Sequence, residues 1–114
     1  MTETAAPCFG PDSGFDNRLE ITGRINELDA LRYTPAGVPV LGFKLEHRSR
    51  QEEAGLPREV EVELAAKAMG EMARLLAGSR LGIEIRVTGF LAHKSAKRRQ
   101  PVLHVIAIEF VEGN

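Results

Sequence analysis

Residues 59–89 read EVEVELAAKAMGEMARLLAGSRLGIEIRVTG, and the spacing of their apolar side chains changes twice. Apolar residues alternate with glutamates from Val60 to Leu64, which is the period of a half-buried strand. From Met69 to Leu76 they recur at i, i+3, i+4 and i+7, which is the stripe of a short helix. Gly78 suits a C-terminal helix cap, and alternation returns from Ile83 to Gly89. The stretch therefore predicts two strands with a short helix between them.

The flanking sequence adds three strands to this pattern. Apolar and polar residues alternate from Leu19 to Asn26 and from Leu41 to Glu46, with turn residues at Thr34–Gly37 between them. A polar segment from Arg50 to Gly55 predicts the next turn, and the last strand runs from Val102 to Val111. The order β-β-β-α-β-β predicts an all-β fold: a five-stranded antiparallel OB-fold barrel with a short helix between strands three and four.

The last predicted strand is apolar on nearly both faces, interrupted by His104 and Glu109. A barrel has a single interior, so one apolar face of each strand is enough to form its core. Because His104 has apolar neighbours, we expect it in the core. We expect the second face of this strand to meet another subunit, which predicts a symmetric homodimer. The alternative is that the helix or the N-terminal segment covers this face.

The first residues of the chain differ from the rest. They combine proline and glycine with small polar residues and have no hydrophobic period, which is typical of a flexible tail. We therefore divide the chain into a flexible N-terminal tail, residues 1–16, and an OB-fold domain, residues 17–114. The alternative for the tail is a docking peptide built on Phe9 and Phe15.

The composition excludes several classes of protein. No run approaches the roughly 20 apolar residues of a membrane helix, and residues 1–16 lack the basic residues and apolar core of a secretory signal. A single cysteine, Cys8, rules out an internal disulfide framework. His47, His93 and His104 lie in three separate segments without metal-ligand spacing, and no nucleophile or phosphate-loop motif is present. We expect a cytoplasmic protein that is not an enzyme, contacts no membrane and uses no metal or cofactor.

The charge of the chain is unevenly distributed. The net charge is −1, from 15 basic and 16 acidic residues, but residues 1–16 carry three acids and no base. The remainder therefore has 15 bases and 13 acids, a net charge of +2. Four of these bases lie in the basic segment, residues 93–100, which contains no acid. Such a local basic loop governs electrostatic binding more than the net charge of the whole chain does.

The basic segment connects the last two predicted strands, where OB-folds reach over a bound single strand. We expect phosphate contacts from this segment, from the loop after the first strand and from the outward face of the second strand. The candidate residues for binding single-stranded DNA are Lys94, Lys97, Arg98, Arg99, Arg32, Lys44 and Arg48. The alternative for the basic segment is a solvated hairpin tip.

Two features oppose binding to single-stranded DNA. Aromatic residues make up 5% of the chain, and Tyr33 and Phe90 are the candidates for base stacking. A row of three glutamates from Glu59 to Glu63 lies on one face of the third strand and would repel phosphates. The row would pair across strands with Lys44 and Arg48, or would face a basic protein partner. The competing functions are therefore an OB-fold protein-interaction scaffold with little DNA binding of its own, and an RNA-binding OB module.

Several motifs resemble the primosomal replication protein N (PriB) family. The most specific is LEHRSRQEEAG at residues 45–55, supported by NRL at residues 17–19, PAGVP at residues 35–39 and GFLAHK at residues 89–94. The resemblance covers about residues 17–112. It implies an OB-fold homodimer related to bacterial single-stranded-DNA-binding protein. It also implies that the chain binds single-stranded DNA, stimulates the PriA helicase and acts with other primosome proteins in replication restart.

The resemblance also assigns roles to individual residues. The family's DNA-contacting bases correspond to Arg32, Arg48 and Lys94, with Lys97, Arg98 and Arg99 in the same loop. Leu56 and Glu61 stand where better-known members have aromatic residues, which implies less stacking and weaker DNA binding. The surface that meets the helicase is expected to include Arg48, Glu53 and Arg58.

Overall fold

The computed structural model describes residues 15–111, which form six strands and a short helix. The strands are β1 (Leu19–Leu28), β2 (Arg32–Tyr33), β3 (Pro39–Glu53), β4 (Leu56–Met69), β5 (Glu84–His93) and β6 (Pro101–Phe110), and the helix is α1 (Glu71–Ala77). The predicted tail lies outside the described residues, apart from Phe15 and Asp16. No helix within residues 15–111 is long and apolar enough to cross a membrane.

Five of these strands close into a barrel, and the predicted OB-fold is confirmed. They follow the order β1-β5-β6-β4-β3, and β3 pairs back with β1. The prediction of a wholly antiparallel barrel is wrong at one pairing, because Ala66–Ala68 of β4 runs parallel to Leu103–Val105 of β6. Parallel neighbours need a crossover connection, and α1 together with β5 supplies it here.

The hairpin between β3 and β4 is longer than the sequence predicts. The predicted turn from Arg50 to Gly55 shrinks to Ala54 and Gly55, which both have positive φ, 55° and 80°. Such a two-residue turn matches the twist of two paired strands. The polar residues before it stay in the strand because they pair across it, as Arg50 does with Glu59.

The helix and the loop after β1 also differ slightly from the prediction. α1 begins at Glu71 rather than Met69, because Gly70 has a φ of 68° that no helix accommodates. The predicted cap at Gly78 is confirmed, and the N–H of the next residue, Ser79, donates to the carbonyl of Leu76 at 2.9 Å. Arg32, predicted to lie in the loop after the first strand, forms the short β2 with Tyr33 against the start of β3.

The barrel interior contains the predicted alternating residues. Its largest fully buried side chains are Ile25, Leu41, Leu45, Leu76, Ile85, Leu103 and Val87. β6 is apolar on both faces as expected, with Leu103 inside the barrel and Ile106 59% exposed. The expectation that His104 lies in the core is wrong, because it is only half-buried and points from β6 to the outer side.

Beyond the barrel, β3 and β4 continue as a two-stranded arm, residues 46–63. β1 pairs with β3 as far as Glu46, and β6 pairs with β4 only at Ala66–Ala68. Between these limits the two strands pair with each other alone, and residues 51–59 are exposed. The arm therefore presents two solvent-facing surfaces, which alternate residue by residue along each strand.

Candidate nucleic-acid interface

A concave pocket of about 220 Å³ lies on the outward face of β3 and β4. Within residues 15–111, its cationic lining consists of Arg32, Lys44, Lys67 and Lys94. Its acidic lining consists of Glu27 and Asp29, so these six residues carry a formal charge of 4 − 2 = +2. We call this pocket the cationic groove. Four positive charges around one concavity produce a local positive potential, which attracts a chain of phosphates.

The barrel strands hold two of the four cations in fixed directions. Lys44 lies between the buried Phe43 and Leu45, so its side chain points away from the core. Lys67 points the same way from β4, where it is paired with Gly42 of β3. A strand backbone anchored by core side chains therefore positions both ammonium groups on the floor of the groove.

Two loops bring the remaining cations to the groove. Arg32 belongs to β2 and pairs with Val40, which ties the loop after β1 to the start of β3. Lys94 begins the basic segment, and its backbone N–H donates to the carbonyl of Gln100 at 3.0 Å. The groove therefore joins the loop after β1, the β3–β4 surface and the loop after β5, which is the usual ligand face of an OB-fold.

A bulge in β1 brings the acids to the same place. The register with β3 shifts between Ile25 and Glu27, so that Glu27 comes opposite Lys44. The two side chains pair, with Lys44 Nζ 3.5 Å from Glu27 Oε1. Bulges commonly redirect side chains in this way. Lys44 therefore pairs with β1, and not with the glutamate row of β4 as the sequence suggested.

Lys67 is the groove residue that sequence reasoning missed. The predicted third strand ended at Leu64, and the alanines that follow show no contrast between polar and apolar positions. Extending the alternation by three residues would have put Lys67 on the same face as Glu63. The strand phase extended from Glu63 is therefore the sequence signal that places Lys67 on this face.

The rest of the basic segment is exposed and lies outside the lining of the groove. Ser95 and Arg98 close a compact turn: the Ser95 N–H donates to the Arg98 carbonyl, and the Arg98 N–H donates to Ser95 Oγ, both at 3.0 Å. Lys97, Arg98 and Arg99 are therefore held on the same loop as Lys94, with their charges in solvent.

Arg48 lies on the arm, away from the groove lining. It is opposite Glu61 in register, and its Nε is 3.6 Å from Glu61 Oε2. The next pair along the same face, Arg50 and Glu59, approaches to 2.7 Å. This face of the arm therefore neutralises part of its own charge, in agreement with the cross-strand pairing expected for Arg48.

The candidate helicase surface is divided between the two faces of the arm. Glu53 and Arg58 pair at 2.6 Å near the turn. They share a face with Leu56, which is 67% exposed, whereas Arg48 points from the opposite face. A partner that contacts Arg48, Glu53 and Arg58 together would have to bind both faces of the arm.

The two candidate stacking residues are both accessible. Tyr33 is 60% exposed beside Arg32 on β2. Phe90 is 39% exposed, and one face of its ring is stacked on His104 with centroids 5.1 Å apart and planes 9° from parallel. Burial, and next to it the positive charge of Lys67, lower the pKa of His104 below its usual 6.5. The imidazole of His104 lines the groove on one side and stacks on Phe90 on the other.

No cluster of three or more histidine, cysteine, aspartate or glutamate side chains suited to a metal occurs in the described part of the chain.

Comparison with known proteins gives concordant results. A family model described as "Another single-strand binding protein family" matches residues 17–107. The replication restart protein PriB of Bordetella pertussis is 42% identical over 98 residues, which cover 86% of this chain and 92% of that protein. The structure of PriB from Ralstonia solanacearum has a TM-score of 0.77 at 34% identity, covering 85% of this chain and 100% of that one. The single-stranded-DNA-binding protein of Thermus aquaticus has a TM-score of 0.69 at 24% identity, a similarity of fold over 85% of this chain and 50% of that one.

Proposed function

Because this chain belongs to the single-strand binding protein family that includes the replication restart protein PriB, we propose that it binds single-stranded DNA through the cationic groove during replication restart. The observation that supports this most is the convergence of Arg32, Lys44, Lys67 and Lys94 on one concavity. Each of these cations can neutralise one phosphate. The proposed role is one of binding without catalysis, in the cytoplasm.

The proposed binding is mainly electrostatic. Base stacking on aromatic residues contributes about 1–3 kcal/mol per base in other single-strand binders. Here Phe90 already has one face against His104, and exposed Leu56 and ion-paired Glu61 stand at the positions implied to be aromatic in relatives. Charge therefore has to supply most of the affinity, and affinity should fall steeply with salt.

Fluorescence anisotropy of a labelled single-stranded oligonucleotide, repeated across salt concentrations, tests this proposal. Four phosphate contacts, at roughly −0.7 each, predict a log–log slope of about −3. Such a slope supports binding in the groove. Failure to bind at low salt would contradict the proposed function.

The proposal extends to the PriA helicase, which the family resemblance implies as a partner. We expect the chain to stimulate unwinding of a forked substrate by PriA, with the arm as the contact surface. The charge-reversed pair Glu53→Lys and Arg58→Glu keeps an ion pair on the arm and inverts its direction. Loss of stimulation with unchanged DNA binding would support the arm as the contact, and full stimulation would exclude this face.

We also propose that the chain is a homodimer. β6 leaves Ile106 59% exposed on its outer side, whereas Leu103 of the same strand lies in the core. Burying this side chain against a second copy would remove it from water. Light scattering coupled to gel filtration should give twice the monomer mass, and Ile106→Lys should reduce it. A monomeric wild type at micromolar concentration would contradict the proposal.

We propose residues 17–114 as the folded domain, with residues 1–16 dispensable for DNA binding. Asn17 Nδ2 donates to the Leu91 carbonyl at 3.0 Å, and the Leu91 N–H donates to Asn17 Oδ1 at 2.9 Å, so the barrel is already fastened at Asn17. A chain that begins at residue 17 should bind DNA as the full chain does. A lower melting temperature would assign the tail a structural role.

The second candidate function is a protein-interaction scaffold with little DNA binding. The arm favours it, because Arg48, Arg50 and Arg58 are all engaged in ion pairs. Reversing the charge of Lys97, Arg98 and Arg99 together tests whether the basic segment adds to DNA binding beside the groove, and loss of binding would support that contribution. The scaffold is supported if wild type binds no oligonucleotide at low salt and still stimulates PriA. Competition between RNA and DNA oligomers tests the RNA-binding alternative.

A further inference from the structure

An acidic side chain occupies the cationic groove without an ionic partner. Of its two acids, Glu27 pairs with Lys44 at 3.5 Å, whereas Asp29 forms no salt bridge within residues 15–111. Asp29 is exposed. A carboxylate beside a bound phosphate chain repels it, so Asp29 weakens the electrostatic attraction that the four cations provide.

The backbone that carries this carboxylate is held in a defined place. The Asp29 N–H donates to the carbonyl of Gly42 at 2.9 Å, which ties the end of β1 to β3. The Oδ2 atom of Asp29 lies 2.7 Å from the position that a Cβ on residue 42 would occupy. Gly42 has no positive φ, so its lack of a side chain matters here for space rather than for backbone conformation. The glycine leaves room for the Asp29 carboxylate to lie against the strand in the groove.

A carboxylate accepts hydrogen bonds and donates none. A bound single strand offers donors only on its bases, because its phosphates are acceptors. Unstacked bases of a single strand are commonly recognised by hydrogen bonds to their Watson–Crick edges. Carboxylates read base donors in the same way in the grooves of duplex DNA. A carboxylate beside four cations that can contact phosphates is therefore suited to read a base.

We propose that Asp29 makes the cationic groove selective for a base with adjacent donors on its Watson–Crick edge, for which guanine is the best match. This rests on the proposed function, binding of single-stranded DNA in the groove. Guanine presents N1–H and N2–H₂ side by side, and these two donors fit the two oxygens of one carboxylate. Thymine presents a single N3–H between two carbonyl oxygens, which the carboxylate repels. Adenine and cytosine each present one amino group beside a ring nitrogen that accepts. We expect their affinity for the groove to lie between those of guanine and thymine.

Anisotropy titrations in lithium chloride, with labelled oligonucleotides of equal length, test the proposal. The probes are oligo-dT, a dT oligomer with isolated guanines, and the same oligomer with hypoxanthine, which lacks the N2 amino group, at those positions. We expect the guanine probe to bind wild type about tenfold more tightly than oligo-dT, as a bidentate base contact predicts. The affinity of the hypoxanthine probe should lie between those of the guanine probe and oligo-dT.

Three variants complete the experiment. Asp29→Asn should bind oligo-dT more tightly than wild type and lose the guanine preference. Gly42→Ala keeps the charge but places a Cβ where the carboxylate lies, so the preference should shrink while the salt dependence stays. Glu20→Gln removes an acid of β1 that lies outside the groove lining, and it should keep the full preference.

The possible outcomes are distinct. If the guanine preference survives in Asp29→Asn, the role of Asp29 is overturned. The same holds if wild type binds oligo-dT but shows no preference for guanine. In both cases the proposed function, binding of single-stranded DNA, still stands. Failure of wild type to bind any probe would overturn both. Circular dichroism shows whether each variant folds. If Asp29→Asn does not fold, Gly42→Ala still tests the role of the Asp29 carboxylate.

Discussion

Arg48 and Glu61 face each other across β3 and β4, and the Nε of Arg48 lies 3.6 Å from Oε2 of Glu61. The family resemblance implies that Arg48 corresponds to a DNA-contacting base and that Glu61 stands where better-known members have an aromatic residue. A glutamate instead of an aromatic residue at position 61 therefore has two effects. It removes a surface on which a base could stack, and it engages the guanidinium of Arg48 in an ion pair. For both reasons we expect the arm next to the cationic groove to bind phosphates less well than an arm with an aromatic residue at this position.

Glu61→Gln should raise the affinity for single-stranded DNA by roughly two- to fivefold. It removes a charge that repels phosphates and releases the guanidinium of Arg48, and exposed ion pairs of this kind are worth about 0.2–1 kcal/mol. Anisotropy at fixed salt measures the change. Glu20→Gln loses the same charge elsewhere on the barrel, and an equal gain in that variant would mean that net charge alone is responsible.

Lys67→Gln should reduce the salt dependence of DNA binding. One phosphate contact fewer makes the log–log slope less negative by about 0.7. Arg74→Gln removes a charge from α1, outside the groove lining, and should leave the slope unchanged. If the two variants behave alike, Lys67 does not contact the strand.

The sequence predicts those groove residues whose positions follow from strand phase or from a loop. Lys44 lies in a clear alternation between Phe43 and Leu45, and Lys94 opens a segment without acids. Lys67 is harder to predict because its neighbours are alanines, which give no contrast between buried and exposed positions. Its strand phase has to be extended from Glu63 and Leu64, where the alternation is clear.

Long-range pairing could not be predicted in the same way. The β1 bulge decides that Lys44 meets Glu27, and no local pattern reports a bulge between Ile25 and Glu27. The parallel contact of β4 with β6 follows from how the barrel closes rather than from either strand's own sequence. The position of Asp29 beside Gly42 depends on how the end of β1 meets β3.

Acidification should destabilise the protein through His104. Burial, followed by the charge of Lys67, lowers the pKa of His104 in the folded state below 6.5. Between that lowered pKa and 6.5 the unfolded chain binds more protons than the folded one, so stability rises with pH and is lost as the pH falls. Melting temperatures at pH 7.5 and 5.5 measure this effect.

His104→Gln should show a smaller loss of melting temperature between these two pH values than wild type. Lys67→Gln should show a partial reduction, because burial is the larger cause of the shift and remains. Comparing each variant with itself at the two pH values cancels the loss of stacking on Phe90. An unchanged difference in His104→Gln would mean that other groups cause the acid sensitivity.

Gly89→Ala should be strongly destabilising, by about 1–3 kcal/mol or more. Gly89 lies at the bulge between β5 and β6, and a Cβ there would collide with the backbone carbonyl of His104. A backbone group cannot move aside as a flexible side chain does, so the two strands would have to separate locally. Urea unfolding measures the loss. Gly78→Ala is the matched control, because a Cβ at Gly78 meets nothing within 4 Å and its φ of −93° suits any residue. It should be neutral or stabilise by about 0.4–1 kcal/mol, since alanine restricts the unfolded chain. Equal effects at the two glycines would contradict the close approach of β5 to β6.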